Sequence, residues 1–176
     1  MASKKQFQDF FGEQGLITAS LGPESARTLP SKLGEYIQEI GFPATVEGIY
    51  CALPESAPKG FSLLATETDG TSVEILCLGA PNPSTDLRYV VDIKTGYVLL
   101  MDTAEGNAQM INNSVENFGE FLYRLGKFLH FRDSSTREQD EAYVELLTAF
   151  LEERDPSSFG EPPGWWPMVL EHLLAY

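Results

Sequence analysis

The alternation of apolar and polar positions is clearest between Tyr89 and Phe131. Two apolar runs, ending at Asp92 and Asp102, flank Lys94-Thr95-Gly96. A tight hairpin needs a residue with positive φ, which Gly96 supplies, so a strand–turn–strand unit is predicted. Beyond a polar loop at Ala104-Glu-Gly-Asn, apolar residues recur at Val115, Phe118, Leu122, Leu125 and Leu129. Those steps of three and four residues, widened by Phe121 and Phe128, predict a helix over 114–130 that covers a sheet. Asn113 or Ser114 can cap it, and Glu116 lies in the first turn, where the helix dipole favours an acid.

The flanking segments extend this unit. Phe7, Phe10 and Phe11 share one side of a short helix from about Lys5 to Phe11, and Leu16-Ile-Thr is an expected edge strand. Gly22-Pro-Glu-Ser is expected to turn. A helix over 30–40 carries Leu33, Tyr36, Ile37 and Ile40 inward. It stops at Gly41-Phe42-Pro43, a glycine that accepts left-handed backbone followed by a proline that cannot continue the helix.

Strands dominate from about 45 to 112: Val46–Leu53, Phe61–Glu67, Ser72–Leu78, Leu87–Asp92, Tyr97–Asp102 and a short Ala108–Ile111. Asp69-Gly70 is a hairpin signal between the second and third. Short turns without intervening helices predict an antiparallel sheet of about five to six strands and an α+β fold. Arg132-Asp-Ser-Ser-Thr links to a helix over 137–154, with Tyr143, Leu146, Leu147, Phe150 and Leu151 assigned inward. Asp155-Pro156 ends it, and a final helix covers about 166–175, with Pro167 tolerable in its first turn.

The length of 176 residues fits one domain, 1–176. No apolar run is long enough to span a membrane, and Met1-Ala-Ser-Lys-Lys does not begin a secretory signal, so a cytoplasmic location is expected. Cys51 and Cys77 lie in apolar runs and read as buried, reduced thiols. With 12 basic and 26 acidic residues the net charge is −14. Such a chain repels nucleic acid and anionic membranes and attracts basic partners.

The residues give no catalytic signal. Gly119 and Gly126-Lys127 are too far apart for a phosphate loop and fall within the predicted helix. The string from Glu67 through Asp69-Gly70 has Leu76 where a calcium loop needs glutamate. His130 and His172 lack metal-type spacing. Asn112-Asn113-Ser114 matches a glycosylation sequon but is better explained as a helix cap. Glu152-Glu153 point in different directions on a helix. No enzyme, metal or cofactor is expected.

Charge placement is the remaining signal. Between Asp133 and Glu161 nine acids meet only Arg137 and Arg154, which concentrates half the net charge there. Glu141, Glu145, Thr148 and Glu152 share the face opposite the predicted core. Like charges at i, i+4 cost about 0.2–0.5 kcal/mol, so local helix stability does not call for them. Glu138, Asp140, Glu141, Glu145, Glu152 and Glu153 therefore read either as a solvated face or as a docking face for a basic partner. Of Trp165-Trp166, one is expected in the core, leaving Trp165 as a candidate interface anchor.

Taken together, the helix from Leu33 to Gly41-Phe42-Pro43, the turn Asp92-Ile-Lys-Thr-Gly96-Tyr-Val98, and Ile111-Asn112-Asn113-Ser114 leading into Val115, Phe118, Phe121 and Leu122 resemble the SUKH superfamily. Asp155-Pro156 and Trp165-Trp166 fit as well. The resemblance is to its immunity-protein branch in bacterial polymorphic toxin systems and covers about 27–175, leaving 1–27 as an N-terminal extension. Phe42 replaces the leucine usual in the Gly-Leu-Pro of the family. The resemblance implies an α+β fold and a non-enzymatic protein; a monomer or weak dimer is expected. Such a protein neutralises a toxin domain encoded next to it, often a nuclease or nucleic-acid deaminase. Gly41, Pro43, Gly96, Asn113 and Ser114 are then structural. A regulatory scaffold, like the yeast cell-wall regulator of the same superfamily, is the alternative.

Overall fold

Five strands run in sequence order as one antiparallel sheet: β5 (Leu63–Thr68), β6 (Thr71–Gly79), β7 (Leu87–Asp92), β8 (Val98–Asp102) and β9 (Ala108–Asn112). This computed structural model describes residues 1–20, 28–53, 58–68, 71–160 and 164–175, without the side chains of residues 67, 68 and 71. The turns expected at Gly22-Pro-Glu-Ser and Asp69-Gly70 fall outside the described residues. So does Glu161. The β5–β6 pairing nevertheless runs in register from Leu63↔Leu76 to Thr68↔Thr71. The β7–β8 turn has Gly96 at φ 77°. Its neighbour Asp92 accepts hydrogen bonds from the Lys94 amide at 2.9 Å and the Thr95 hydroxyl at 2.7 Å.

Around the sheet stand α1 (Lys4–Phe11), α2 (Ser31–Glu39), α3 (Val115–Arg132), α4 (Arg137–Arg154) and α5 (Trp165–Leu174). The expected α+β architecture holds, with helices before and after the sheet. Helix α3 is central. Its Val115, Phe118, Phe121, Leu122, Leu125 and Phe128 form one buried cluster with Leu76, Leu78, Tyr89, Val91, Val98 and Ile111 of the sheet. Ser114 is its N-cap, accepting from the Asn117 amide at 3.2 Å. Asn113 instead accepts from the Asn117 side chain at 2.8 Å, so both residues fix the entry to the helix.

Two expectations need correction. Val46–Leu53 is not one strand of the sheet. It is split into β3 (Thr45–Val46) and β4 (Tyr50–Cys51), paired across Glu47-Gly48-Ile49 in a separate two-stranded ladder. The split lets both Ile49 and Tyr50 enter the core, which a straight strand with alternating faces forbids. The second concerns α4. Leu146 points outward at 74% exposure, while Val144, assigned no inward role from the sequence, is 5% exposed. Six large apolar residues between 143 and 151 allow two overlapping stripes, and Val144, Leu147 and Leu151 form the buried one.

The first residues of the chain lie against α3. Ser3 and Gln6 form a capping box on α1. Phe7 is buried and stacks on Tyr123 with ring centroids 5.1 Å apart. The buried Glu120 carboxylate accepts from the Ala2 amide and, at 2.8 Å, from Arg124 Nε. Helix α2 ends where Gly41, at φ 73°, donates to the Tyr36 carbonyl at 2.9 Å. There β1 (Leu16–Ile17) pairs with β2 (Phe42–Pro43). Pro43, lacking an amide donor, is tolerated in so short a ladder.

A buried polar knot joins the sheet to the last two helices. Asn112 Nδ2 donates to Asp155 Oδ2 at 3.1 Å and to Ser158 Oγ at 3.0 Å. Its Oδ1 accepts from Trp166 Nε1 at 3.1 Å, which also reaches the Ile111 carbonyl at 3.0 Å. Asp155 further accepts from the Asn113 amide at 2.9 Å and the Ser157 hydroxyl at 2.5 Å. Burial alone would raise the Asp155 pKa, but these donors outweigh it and hold the carboxyl below its ordinary value.

Candidate docking site

Helix α4 owes its start to a reciprocal cap. Thr136 Oγ1 accepts from the Gln139 amide at 3.4 Å, and Gln139 Oε1 accepts from the Thr136 amide at 2.9 Å. Val144, Leu147 and Leu151 then seat the helix on the core. Its rotation is fixed at the far end, where Arg154 Nε donates to the buried Asn117 Oδ1 at 2.9 Å. That contact draws one of the two local cations toward α3.

With the rotation set, Glu138, Glu141, Glu145, Glu152 and Glu153 are all exposed. Arg137 Nε pairs with Glu141 at 3.0 Å, an exposed bridge whose worth is about 0–1 kcal/mol. Among the described residues, no ion pair involves Glu138, Glu145, Glu152 or Glu153. Asp140 differs. It is half-buried and accepts from the Ser135 hydroxyl, so it contributes to the helix entry. Thr148 turns its hydroxyl back to the Val144 carbonyl at 2.7 Å. Asp155, counted among the nine acids in sequence, is buried in the knot and lies off the surface.

Trp166 is fully buried, as one tryptophan of the pair was expected to be. Trp165 is half-buried and lies elsewhere than the α4 acids. It lines a cavity of about 450 Å³ with Ile49, Leu129, Met168, Val169 and Leu173. Its ring meets Tyr89 edge-on, with centroids 6.2 Å apart. The structure therefore gathers five exposed acids on one helix but does not bring Trp165 to them.

Reactive chemistry finds little support in this arrangement. Cys77 is buried, with its thiol pushed up to about 11, and burial also raises Cys51. Neither is a ready thiolate at neutral pH. Among the described residues, no group of three His, Cys, Asp or Glu side chains could hold a metal, and no helix is long and apolar enough to cross a membrane. Sequence reasoning missed two buried acids, Glu120 and Asp155. The Asp-Pro step marked a helix end but gave no sign of burial, and nothing around Glu120 distinguished it from a surface acid.

No curated protein and no solved structure matches the chain. A family match does cover nearly all of it, from residue 2 to residue 172, and the family is described as SUKH-4 immunity protein. That span takes in α1, which the sequence resemblance had left outside, along with the knot and the acidic helix. On that match the chain belongs to the SUKH-4 immunity protein family.

Proposed function

We propose that this protein binds a cognate toxin domain through the acidic face of α4 and neutralises it by occlusion, without catalysis of its own. The observation that carries this reading is the set of exposed glutamates on α4, four of them outside any ion pair among the described residues. A nuclease or nucleic-acid deaminase must attract polyphosphate and so presents a basic cleft. An acidic binder meets that cleft with complementary potential, which speeds encounter and opposes nucleic acid. A standard interface of roughly 1,600 Å² is sufficient for tight inhibition.

Reversing charge at Glu141, Glu145 and Glu152 together to lysine tests the reading. The expected result is affinity for the toxin domain lowered at least tenfold, with the decrement shrinking as salt rises because exposed charges are screened. The melting temperature should shift little, since all three side chains are exposed. Unaltered affinity in the triple variant would remove this face from the interface.

A further inference from the structure

On the flank of α4 away from Glu141, Glu145 and Glu152 lies a half-open apolar pocket of about 240 Å³, lined by Arg124, Tyr143, Leu146, Leu147 and Phe150. Among the described residues, none fills it. Leu146, at 74% exposure, leaves unburied a side chain whose apolar surface favours burial. The pocket wall is held in place: the Arg124 guanidinium lies 4.6 Å from the Phe150 ring centroid and pairs with Glu120 at 2.8 Å, so its charge is already met. Phe131, 36% exposed, extends the patch through Tyr143, with rings 5.0 Å apart. The helical period sets Leu146 and Phe150 on one flank of α4 and Glu141, Glu145 and Glu152 on the other, with Ala142, Ala149 and Glu153 between them.

We infer that this pocket is the anchor point of the toxin interface. It takes one apolar side chain of the toxin domain, whose lysines or arginines face Glu145, Glu152 and Glu153. This inference rests on the proposed function and names the contact that gives it strength. Charge selects the occupant. A second copy of this chain would set one acidic stripe against another, whereas a basic surface with a protruding apolar residue complements both halves of the patch. A well-packed pocket that an apolar side chain can fill is also where binding energy concentrates.

The test uses the full-length protein and the toxin domain encoded next to it, prepared as an inactive variant, with affinity measured by calorimetry. Leu146→Asn is expected to lower affinity about tenfold at both low and high salt, because apolar burial is not screened, with the melting temperature nearly unchanged. A photoreactive benzoylphenylalanine at position 146 should cross-link to the toxin domain, and one at the exposed Glu35 of α2 should not. If Leu146→Asn binds like the wild type while charge reversal at Glu141, Glu145 and Glu152 abolishes binding, the pocket is overturned and the acidic face stands. If neither variant changes affinity, or the wild type does not bind the toxin domain, both ideas fall. A wild-type dimer that Leu146→Asn converts to monomer would assign the pocket to a second copy and overturn the inference.

Discussion

Replacing Asp155 with alanine is expected to destabilise the fold by about 2–5 kcal/mol, because it removes hydrogen bonds to a charged acceptor and leaves buried donors unpaired at about 1–3 kcal/mol each. The variant leaves the Asn113 amide without its acceptor, takes one of two acceptors from Asn112 Nδ2, which keeps Ser158, and opens a void where the carboxylate bound the Ser157 hydroxyl. Chemical denaturation at pH 7 reads the loss directly, and the melting temperature should fall on the order of 10 °C. The pH dependence has a definite sign. A carboxyl held below its unfolded pKa of about 3.9 stabilises fully above that value, and its contribution is lost as pH falls through the lower, folded pKa. The gap between wild type and Asp155→Ala should therefore be widest at neutral pH and narrow in strong acid. A gap independent of pH would mean the carboxylate charge plays no part.

Gly41→Ala is expected to cost about 2–6 kcal/mol, for two separable reasons. The backbone there lies at φ 73°, which a residue with a side chain adopts at a cost of about 1–3 kcal/mol. An added Cβ would also come within 2.3 Å of the Ile17 carbonyl oxygen, a backbone atom of β1, where Ile17 pairs with Phe42, the residue next to Gly41. Relief requires that pair to separate, and overpacking of this kind adds roughly 1–3 kcal/mol. Gly96, at similar φ, has open space around its missing side chain. Gly96→Ala should therefore lose only the backbone part. Equal losses in the two variants would refute the carbonyl clash.

These contrasts show what the sequence could and could not reveal. Local rules were legible wherever one mechanism acted alone. The heptad-like spacing of α3, the Gly41-Phe42-Pro43 stop and the Gly96 turn each express a preference that needs no distant partner. The rotation of α4 was not legible, because Val144 and Leu146 offer almost equal apolar faces and the choice depends on Arg154 reaching Asn117, 37 residues away. The acidity of α4 could be read, but which acids lie free could not. Asp140 and Asp155 become structural only through Ser135 and through the Asn112 knot. The pocket at Leu146 was hidden by the same ambiguity, since a leucine assigned inward gives no reason to look for a partner.

The Asn112 knot also bears on how the chain is made. Each strand of the meander pairs with its predecessor in sequence, so the β5–β9 hairpins close locally and can form early as the chain emerges. The knot cannot. Asn112 must wait for Asp155 and Ser158, and its remaining oxygen for Trp166, which lies 54 residues further along. The expected consequence is that α4 is secured only when almost the whole chain has left the ribosome. Nascent chains arrested just before Trp166 should then be cut by protease within 137–154 while the sheet resists. Full-length chains should resist throughout, so that an ordered α4 marks a finished molecule.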